Sequence, residues 1–384
     1  MRSYFDHNAT TPPDPAVVEA VVRALRDEFG NPSSIHHFGQ RAKAQLDEAR
    51  SSVAELIGAE PGDLVFTSGG TESDNMALRG AAEAAEAAGA RRHVVASAIE
   101  HEAVLNTVKA LTRRGWTSTL LPVDASGIVS PAALASVVTP QTAIVSVMHA
   151  NNEIGTIQPI ADLAAIAHEH GALFHTDAVQ SIAKIPVDVR TLGIDLLSLS
   201  AHKFNGPKGS GALWIRRGTR IVSTMTGGKH ERNRRGGTEN VPGITGLGVA
   251  ARLARTKLQA ESARVGALRD RLERGILERI SGTAVNGDPR LRVPNTTNVS
   301  FDCVEAESLL IALDLEGFAV STGSACSSGT LEPSHVLRAM GLSSHRTQNS
   351  IRFSLGAGNT DAQVDALLER IPAVVGKLRT LVKR

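Results

Sequence analysis

The stretch Asp195-Leu-Leu-Ser-Leu-Ser-Ala-His-Lys-Phe-Asn-Gly-Pro-Lys-Gly-Ser-Gly-Ala-Leu-Trp214 decides how the chain is read. Leu196 to Leu199 is an apolar run of strand length that stops at Ser200-Ala-His-Lys203. A glycine-rich turn follows, and a second short apolar strand, Gly211 to Ile215, leaves it. Lys203 therefore sits at the end of a core strand, where an amine is costly without a partner or a task. An amine in such a place can have a lowered pKa and form Schiff bases with carbonyls. The alternative is a lysine at a strand end that reaches solvent.

Upstream of this stretch, short apolar runs alternate with helical segments from Leu64 onward. Strands are expected at Leu64-Val-Phe, His93 to Ser97, Thr119 to Val123, Ala143 to Met148 and Ala172 to Thr176, before the run at Leu196. Helices are expected between them, from Thr71 to about Ala88, His101 to Arg113, Pro131 to Val138 and Ile160 to His170. Strand followed by helix, repeated, argues an α/β fold with a largely parallel sheet covered on both faces. Such a sheet gathers chemistry at the carboxyl ends of its strands. Those ends read Thr67-Ser-Gly-Gly-Thr-Glu72, Ile99-Glu-His101, His149-Ala-Asn-Asn-Glu153, Asp177-Ala-Val-Gln180 and Ser200-Ala-His-Lys203. Polar residues at so many ends of apolar strands argue one shared crevice rather than unrelated solvated turns.

The flanks differ in character. Residues 1–14 form a short strand that breaks into a proline-stopped turn, and a helix from about Pro15 to Glu28 carries Val17, Val18, Val21, Val22 and Leu25. The loop at 30–37 holds His36 and His37, which have no third ligand at helical spacing and read as a polar loop rather than a metal site. A long helix follows from about Gln40 to Ile57. Beyond Ile215 lie a basic, glycine-rich loop at 227–240 and a long helix from about Gly243 to Ile280. Strands at Asn298 to Phe301, Gly317 to Ser321 and Ile351 to Leu355, with helices Ala306 to Leu315 and Asp361 to Val382, make a compact α+β unit. The expected division is a large domain at 15–255 and a small domain formed by 1–14 and 256–384.

Composition narrows the class. The chain has 384 residues, enough for two domains, with 42% hydrophobic and 21% charged residues and a net charge of +2. Neither global charge nor any long run of one sign points to nucleic acid. Aromatics are only 3%, so no platform for stacked bases exists. No apolar stretch reaches the roughly 18 residues of a membrane helix, and the start Met1-Arg-Ser-Tyr-Phe-Asp lacks a signal pattern. A cytoplasmic location is the expectation. The two cysteines, Cys303 and Cys326, cannot make a disulfide framework or a four-thiolate metal site.

Three strand ends then combine. Ser68-Gly-Gly-Thr-Glu72 opens a helix with two glycines, which suits a phosphate or carboxylate cradle, although Thr71 could simply cap the helix with Asp74 at N3. Asp177 can keep a pyridine nitrogen protonated, and Lys203 can hold an aldehyde. Together they describe pyridoxal 5′-phosphate. His101 could stack on the ring or move protons, or could only start a helix.

The residues now carry a family resemblance, in motifs that run nearly end to end. They include Asp6-His-Asn-Ala-Thr-Thr11, Gly30-Asn-Pro-Ser-Ser-Ile-His36, Phe66-Thr-Ser-Gly-Gly-Thr-Glu-Ser73, Glu100-His101, Asn151-Asn-Glu-Ile-Gly155, His175-Thr-Asp-Ala-Val-Gln180, Ser200 to Gly209, Gly237-Thr-Glu-Asn240 and Gly323-Ser-Ala-Cys-Ser-Ser-Gly329. The chain resembles cysteine desulfurases of the NifS/IscS type, within the class V aminotransferase group. The resemblance implies the fold-type I architecture of pyridoxal phosphate enzymes, with a mainly parallel mixed sheet in the large domain. It implies that Lys203 holds the cofactor aldehyde, Asp177 the pyridine nitrogen and Gln180 the ring hydroxyl, with His101 over the ring. Gly70, Thr71, Ser200 and His202 would hold the phosphate, and Thr238 would reach the phosphate of a neighbouring subunit in a homodimer. Asn152 and Arg352 would hold the substrate carboxylate; an arginine inside the apolar strand Ile351 to Leu355 also wants an anionic partner on physical grounds.

Cys326, in a Ser/Gly loop, would attack the substrate sulfur and carry it as a persulfide to an acceptor, an iron–sulfur scaffold being the family expectation. No metal is implied for the isolated protein, though Cys326 could transiently share a cluster with a scaffold. A thiol needs activation to be a thiolate at neutral pH. Cys303 is expected to pack as a small hydrophobe. The sequence departs from the family pattern at His7, where asparagine is common, and at Lys229-His230 in a variable loop. Lys229 is a rival amine, in a loop rather than at a strand end. Rival functions are a selenocysteine lyase, another class V enzyme such as an aminotransferase, and a non-enzymatic sulfur carrier that binds a scaffold.

Overall fold

The computed structural model describes residues 2–89, 91–323 and 333–382. Its strands are β1 (Ser3–Tyr4), β2 (Leu64–Thr67), β3 (His93–Ser97), β4 (Thr117–Leu121), β5 (Thr142–Ser146), β6 (Leu173–Asp177), β7 (Leu196–Ser200), β8 (Gly211–Ile215), β9 (Thr283–Asn286), β10 (Thr296–Phe301), β11 (Phe318–Ala319) and β12 (Ser350–Ser354). Seven of them form one sheet in the order β2-β8-β7-β6-β5-β3-β4. All its neighbouring pairs are parallel except those of β8, which runs against β2 and β7. The sheet is thus the expected largely parallel one, in an α/β fold.

The apolar runs are continuous because the strands are buried on both faces. Leu64 and Phe66 of β2, Leu197 and Leu199 of β7, and Ala212 and Trp214 of β8 join one core. Val65, Leu196, Leu213 and Ile215 face the other way and join a second. The first core packs under the helices His37–Leu56 and Val241–Arg279, the second under Gly70–Ala87 and Glu102–Thr112.

The sheet order sets the site. From one side to the other, the carboxyl-end row carries the turn after β2 with its Gly69-Gly70 pair, Lys203 after β7, Asp177 at the end of β6, the Asn151–Glu153 turn beyond β5 and His101 beyond β3. The cradle and Lys203 come close because β8 is antiparallel. Its first residue, Gly211, pairs with both Thr67 and Ser200. A Cβ on Gly211 would lie 2.7 Å from Gly69 Cα and 2.6 Å from Leu199 O, so only glycine lets these turns pack together.

A further core is built from Phe5, Val299, Phe301, Ile351, Phe353 and the helices Ala306–Leu315 and Asp361–Val382. Its strands form the antiparallel sheet β12-β10-β9 and the parallel pair β1-β11. The helix Val241–Arg279 enters both regions: Val241, Ile244 and Leu247 lie in the sheet core, and Leu268, Leu272 and Ile276 in the α+β core.

One expectation changes, and one apolar stripe is only half covered. In the helix Pro15–Asp27 the buried face is Val17, Ala20 and Ala24, while Val18, Val22 and Leu25 are exposed. The apolar stripe is broader than the core needs, and its outer half faces out. Cys303 does not pack as a small hydrophobe. It is exposed, with φ 60°, in the turn that leaves β10 after the buried Phe301.

Gly248 of the long helix crosses Ala49 so closely that a Cβ would sit 2.5 Å from Ala49 Cα. Gly248→Val is expected to cost about 1–3 kcal/mol by overpacking. Urea melts of the two proteins, each at the same cofactor loading, check it.

Candidate active site

Lys203 closes the single 3-10 turn Ala201–Lys203 that follows β7. Its Nζ donates to two backbone carbonyls of the N-terminal segment, Asn8 O at 2.6 Å and Ala9 O at 2.9 Å. Burial brings its pKa down to about 8, and nearby Arg352 pushes the same way, while Asp177 and Asp6 oppose. One strand over, the Asp177 carboxylate is buried and accepts from Val179 N at 2.8 Å. Burial raises its pKa; His101, the Val179 amide and Lys203 act in the opposite direction. The strand-end lysine is therefore half-buried and tied to backbone carbonyls, and it ends the strand next to that of the buried Asp177.

The helix Gly70–Ala87 begins at Gly69, which has φ 151° and provides no side-chain cap. The alternative in which Thr71 caps the helix is thus not realised. Thr71 sits inside the first turn and is exposed, and Asp74 points into the protein, 3.6 Å from His175. The first amides of a helix have no acceptor within it, which lets them meet an anion. Gly70 packs tightly, since a Cβ would lie 2.8 Å from Val179 Cγ2 and 3.8 Å from Ser200 Cβ. Ser200 is buried with its Oγ toward Gly69. Next to it, His202 Nδ1 meets Thr10 Oγ1 at 3.1 Å, and burial with Lys203 and Lys208 nearby lowers its pKa to about 4. Glu72 closes this end: it accepts from Ser68 N at 2.7 Å and pairs with Arg235 at 2.9 Å. Arg235 belongs to the glycine-rich loop that also carries the exposed Thr238 and Lys229.

His101 caps the helix Glu102–Thr112, its Nδ1 accepting from Ala103 N at 3.1 Å. Its ring is exposed and lines a surface cavity of about 600 Å³ with Thr71, Asn75, Arg79 and Asn106. His36 likewise caps a helix, accepting from Gly39 N at 3.3 Å. No cluster able to hold a metal ion occurs among the described residues.

Arg352 on β12 is buried, and its guanidinium already has partners. Nη2 pairs with Asp6 Oδ1 at 2.6 Å and Nη1 donates to Asn152 O at 3.0 Å, while Nε has none. Asn152 thus meets Arg352 through its backbone. Asn8 links Lys203, Gln180 and Asn152, and Asn152 O meets Arg352; Asp177 ends the strand next to that of Lys203, Gly70 packs against Ser200, and Cys326 lies outside the described residues.

The sequence reading missed the residues that tie these groups together. Asn8 O accepts from both Lys203 Nζ and Gln180 Nε2, the latter at 3.0 Å. Asn8 Nδ2 donates to Asn152 O and Thr296 Oγ1. Glu153, fully enclosed, accepts from Ser334 Oγ at 2.5 Å and stands 3.1 Å from where a Cβ on Gly323 would be. Lys184 is buried and touches Gln180 and Asn8. Asn8 and Glu153 stood in quoted motifs, but nothing local says that the N-terminal segment crosses to the strand ends.

The chain was compared with known proteins. The model of the aminotransferase class-V family matches residues 3–367. A cysteine desulfurase IscS of Dictyoglomus turgidum is 49% identical over 378 residues, covering 98% of this chain and 95% of the relative. A cysteine desulfurase of Gluconacetobacter diazotrophicus is 50% identical over 380 residues, covering 98% and 94%. Among solved structures, a NifS-like protein superposes with a TM-score of 0.92 at 38% identity, covering 98% of this chain and all of that one. An SspA structure, described as in complex with cysteine, gives a TM-score of 0.83 at 36% identity over 94% of this chain and 100% of that one.

In the cofactor-free protein, Lys203 is expected to react with an amine-directed reagent at a rate that rises with pH through a midpoint near 8. Ordinary lysines titrate about two units higher. Peptide-resolved labelling across pH 6–11 reads it, and a midpoint near 10.4 would place the amine in solvent.

Proposed function

The chain belongs to the class-V aminotransferase family, and we propose that it is a cysteine desulfurase. It converts L-cysteine to L-alanine and keeps the sulfur as a persulfide on Cys326 for an acceptor. The observation that carries the reading is the placement of Lys203, with its lowered pKa, beside the buried Asp177 at adjacent ends of a parallel sheet. Relatives that bear this name at 49–50% identity over nearly the whole chain support it.

Pyridoxal phosphate is the cofactor of this reading, and the residues present fit it. The uncapped turn at Gly69-Gly70, with Ser200 and His202 beside it, offers donors to a phosphate. When bound, the cofactor supplies an aldehyde for the substrate amine and a ring that accepts the electrons released at Cα. Lys203 would hold that aldehyde at rest. Asp177 would keep the proton on the ring nitrogen, and its burial would strengthen the bond. Gln180 would donate to the ring hydroxyl, and His101 would lie over the ring. Thr238 of the partner subunit would reach the phosphate.

Arg352 receives the substrate carboxylate, since its contacts with Asp6 and Asn152 O use one hydrogen on each Nη and leave donors over. Asn152 lies beside it. Once released by the substrate amine, the Lys203 Nζ takes the proton from Cα; a pKa near 8 suits a base working close to neutral pH. Cys326, as thiolate, forms an S–S bond to the substrate sulfur while the Cβ–S bond breaks. The bonding pair goes to Cβ, which gains a proton, Cα regains a proton from Lys203, and alanine leaves. The persulfide sulfur passes to an acceptor protein, an iron–sulfur scaffold in this reading, in the cytoplasm.

A homodimer accords with the exposed Thr238 and with the apolar surface around the first helix. Phe29 and Ile35 are 69% and 93% exposed, Val18, Val22 and Leu25 are exposed as well, and Phe29 stacks on Phe38 at 5.4 Å. In sedimentation, a mass of one chain would remove this part of the reading.

Alanine formed from L-cysteine in the presence of a dithiol tests the function. Wild type is expected to make it, and Cys326→Ala to lose the activity by on the order of 100-fold or more. Equal rates would instead indicate a lyase that needs no thiol, as in selenocysteine cleavage. A second check is Lys203→Ala, which is expected to lose the visible absorbance of the bound cofactor. An unchanged spectrum would overturn that assignment.

A further inference from the structure

Lys184 is a buried lysine whose polar partners among the described residues are two amide oxygens. Its Nζ donates to Gln180 Oε1 at 2.5 Å and to Asn8 Oδ1 at 3.1 Å. The charged neighbours that act on it are also cations, Lys203 and Arg352, and the buried His7 lies close by. Burying an amine in this way is expensive, and an apolar side chain would fill the space at lower cost. The arrangement nevertheless does one specific thing. An amine presents hydrogens, so Gln180 must turn its oxygen toward Lys184 and its Nε2 away. Nε2 gives one hydrogen to Asn8 O at 3.0 Å and keeps the other. Asn8 is oriented in the same way: its oxygen faces Lys184 and Asn295, and its Nδ2 faces Asn152 O and Thr296.

We propose that Lys184 is a positioning residue that locks the Gln180 amide with Nε2 as the donor to the cofactor's ring oxygen. The inference rests on the reading that this crevice takes pyridoxal phosphate. Without Lys184 only the bond from Nε2 to Asn8 O holds the amide in this orientation, and the flipped amide presents an acceptor, which repels a ring oxygen that has lost its proton. The role is thus electronic as well as steric, since it sets which protonation state of the ring oxygen the site favours.

The pH titration of the bound cofactor's visible band, in the holo protein, tests it. Lys184→Met is expected to raise the midpoint by about one pH unit, the effect of losing one charge-assisted hydrogen bond to the deprotonated form. Gln180→Met is expected to raise it similarly, and the double variant no further, because Lys184 acts through Gln180. Lys184→Leu carries the same expectation should the Met variant not fold. An unmoved midpoint in the Lys184 variant, or an equal shift in the Gln180→Met background, overturns the proposal. A wild-type protein that develops no cofactor band with added pyridoxal phosphate is a different failure, that of the cofactor reading itself.

Discussion

The contact on which the site depends is the crossing of the N-terminal segment over the strand ends at Asn8. One backbone carbonyl there accepts from Lys203 and from Gln180, and the side chain of the same residue binds Lys184, Asn295, Thr296 and Asn152. Asn295 and Thr296 belong to the α+β region; the others belong to the sheet. A residue near the start of the chain thus ties both regions to one point. Such a node tolerates little change, because every buried polar atom in it relies on the others for its partner.

Charge organises what surrounds that node. Lys203, Lys184 and Arg352 converge on a small volume, answered by Asp6 and Asp177. Asp6 takes one end of Arg352 and Asn152 O another, which leaves a single buried nitrogen unsatisfied. Burial, with these cations close together, lowers the pKa of the amines, and the excess of cations attracts anions. That suits a phosphorylated cofactor and an amino-acid carboxylate, and it keeps Lys203 close to its neutral form near pH 8.

Much of this architecture was legible in the sequence, for a physical reason. Strands buried on both faces become continuous apolar runs, so β7 and β8 could be read from Leu196 and Gly211 with hardly any error. The helix Ala306–Leu315 was likewise plain. The residues at strand ends stood out because polar side chains follow apolar runs. What could not be read depends on packing between distant segments. β9 is short and half-buried, with no apolar run to mark it. Asp6 and Arg352 are 346 positions apart, and Lys184 sits in an apolar run where only the fold reveals its partners. The exposure of Val18, Val22 and Leu25 could not be read either, because periodicity records a face without saying what covers it.

The helix Val241–Arg279, 39 residues long, spans roughly 58 Å at the usual rise and is rooted in both cores. Neither half can melt without stripping the other of its packing partner. The two regions are therefore thermodynamically fused and lose their structure in a single cooperative event. The same helix carries packing from one region into the other, so a change that loosens one core is felt in the second.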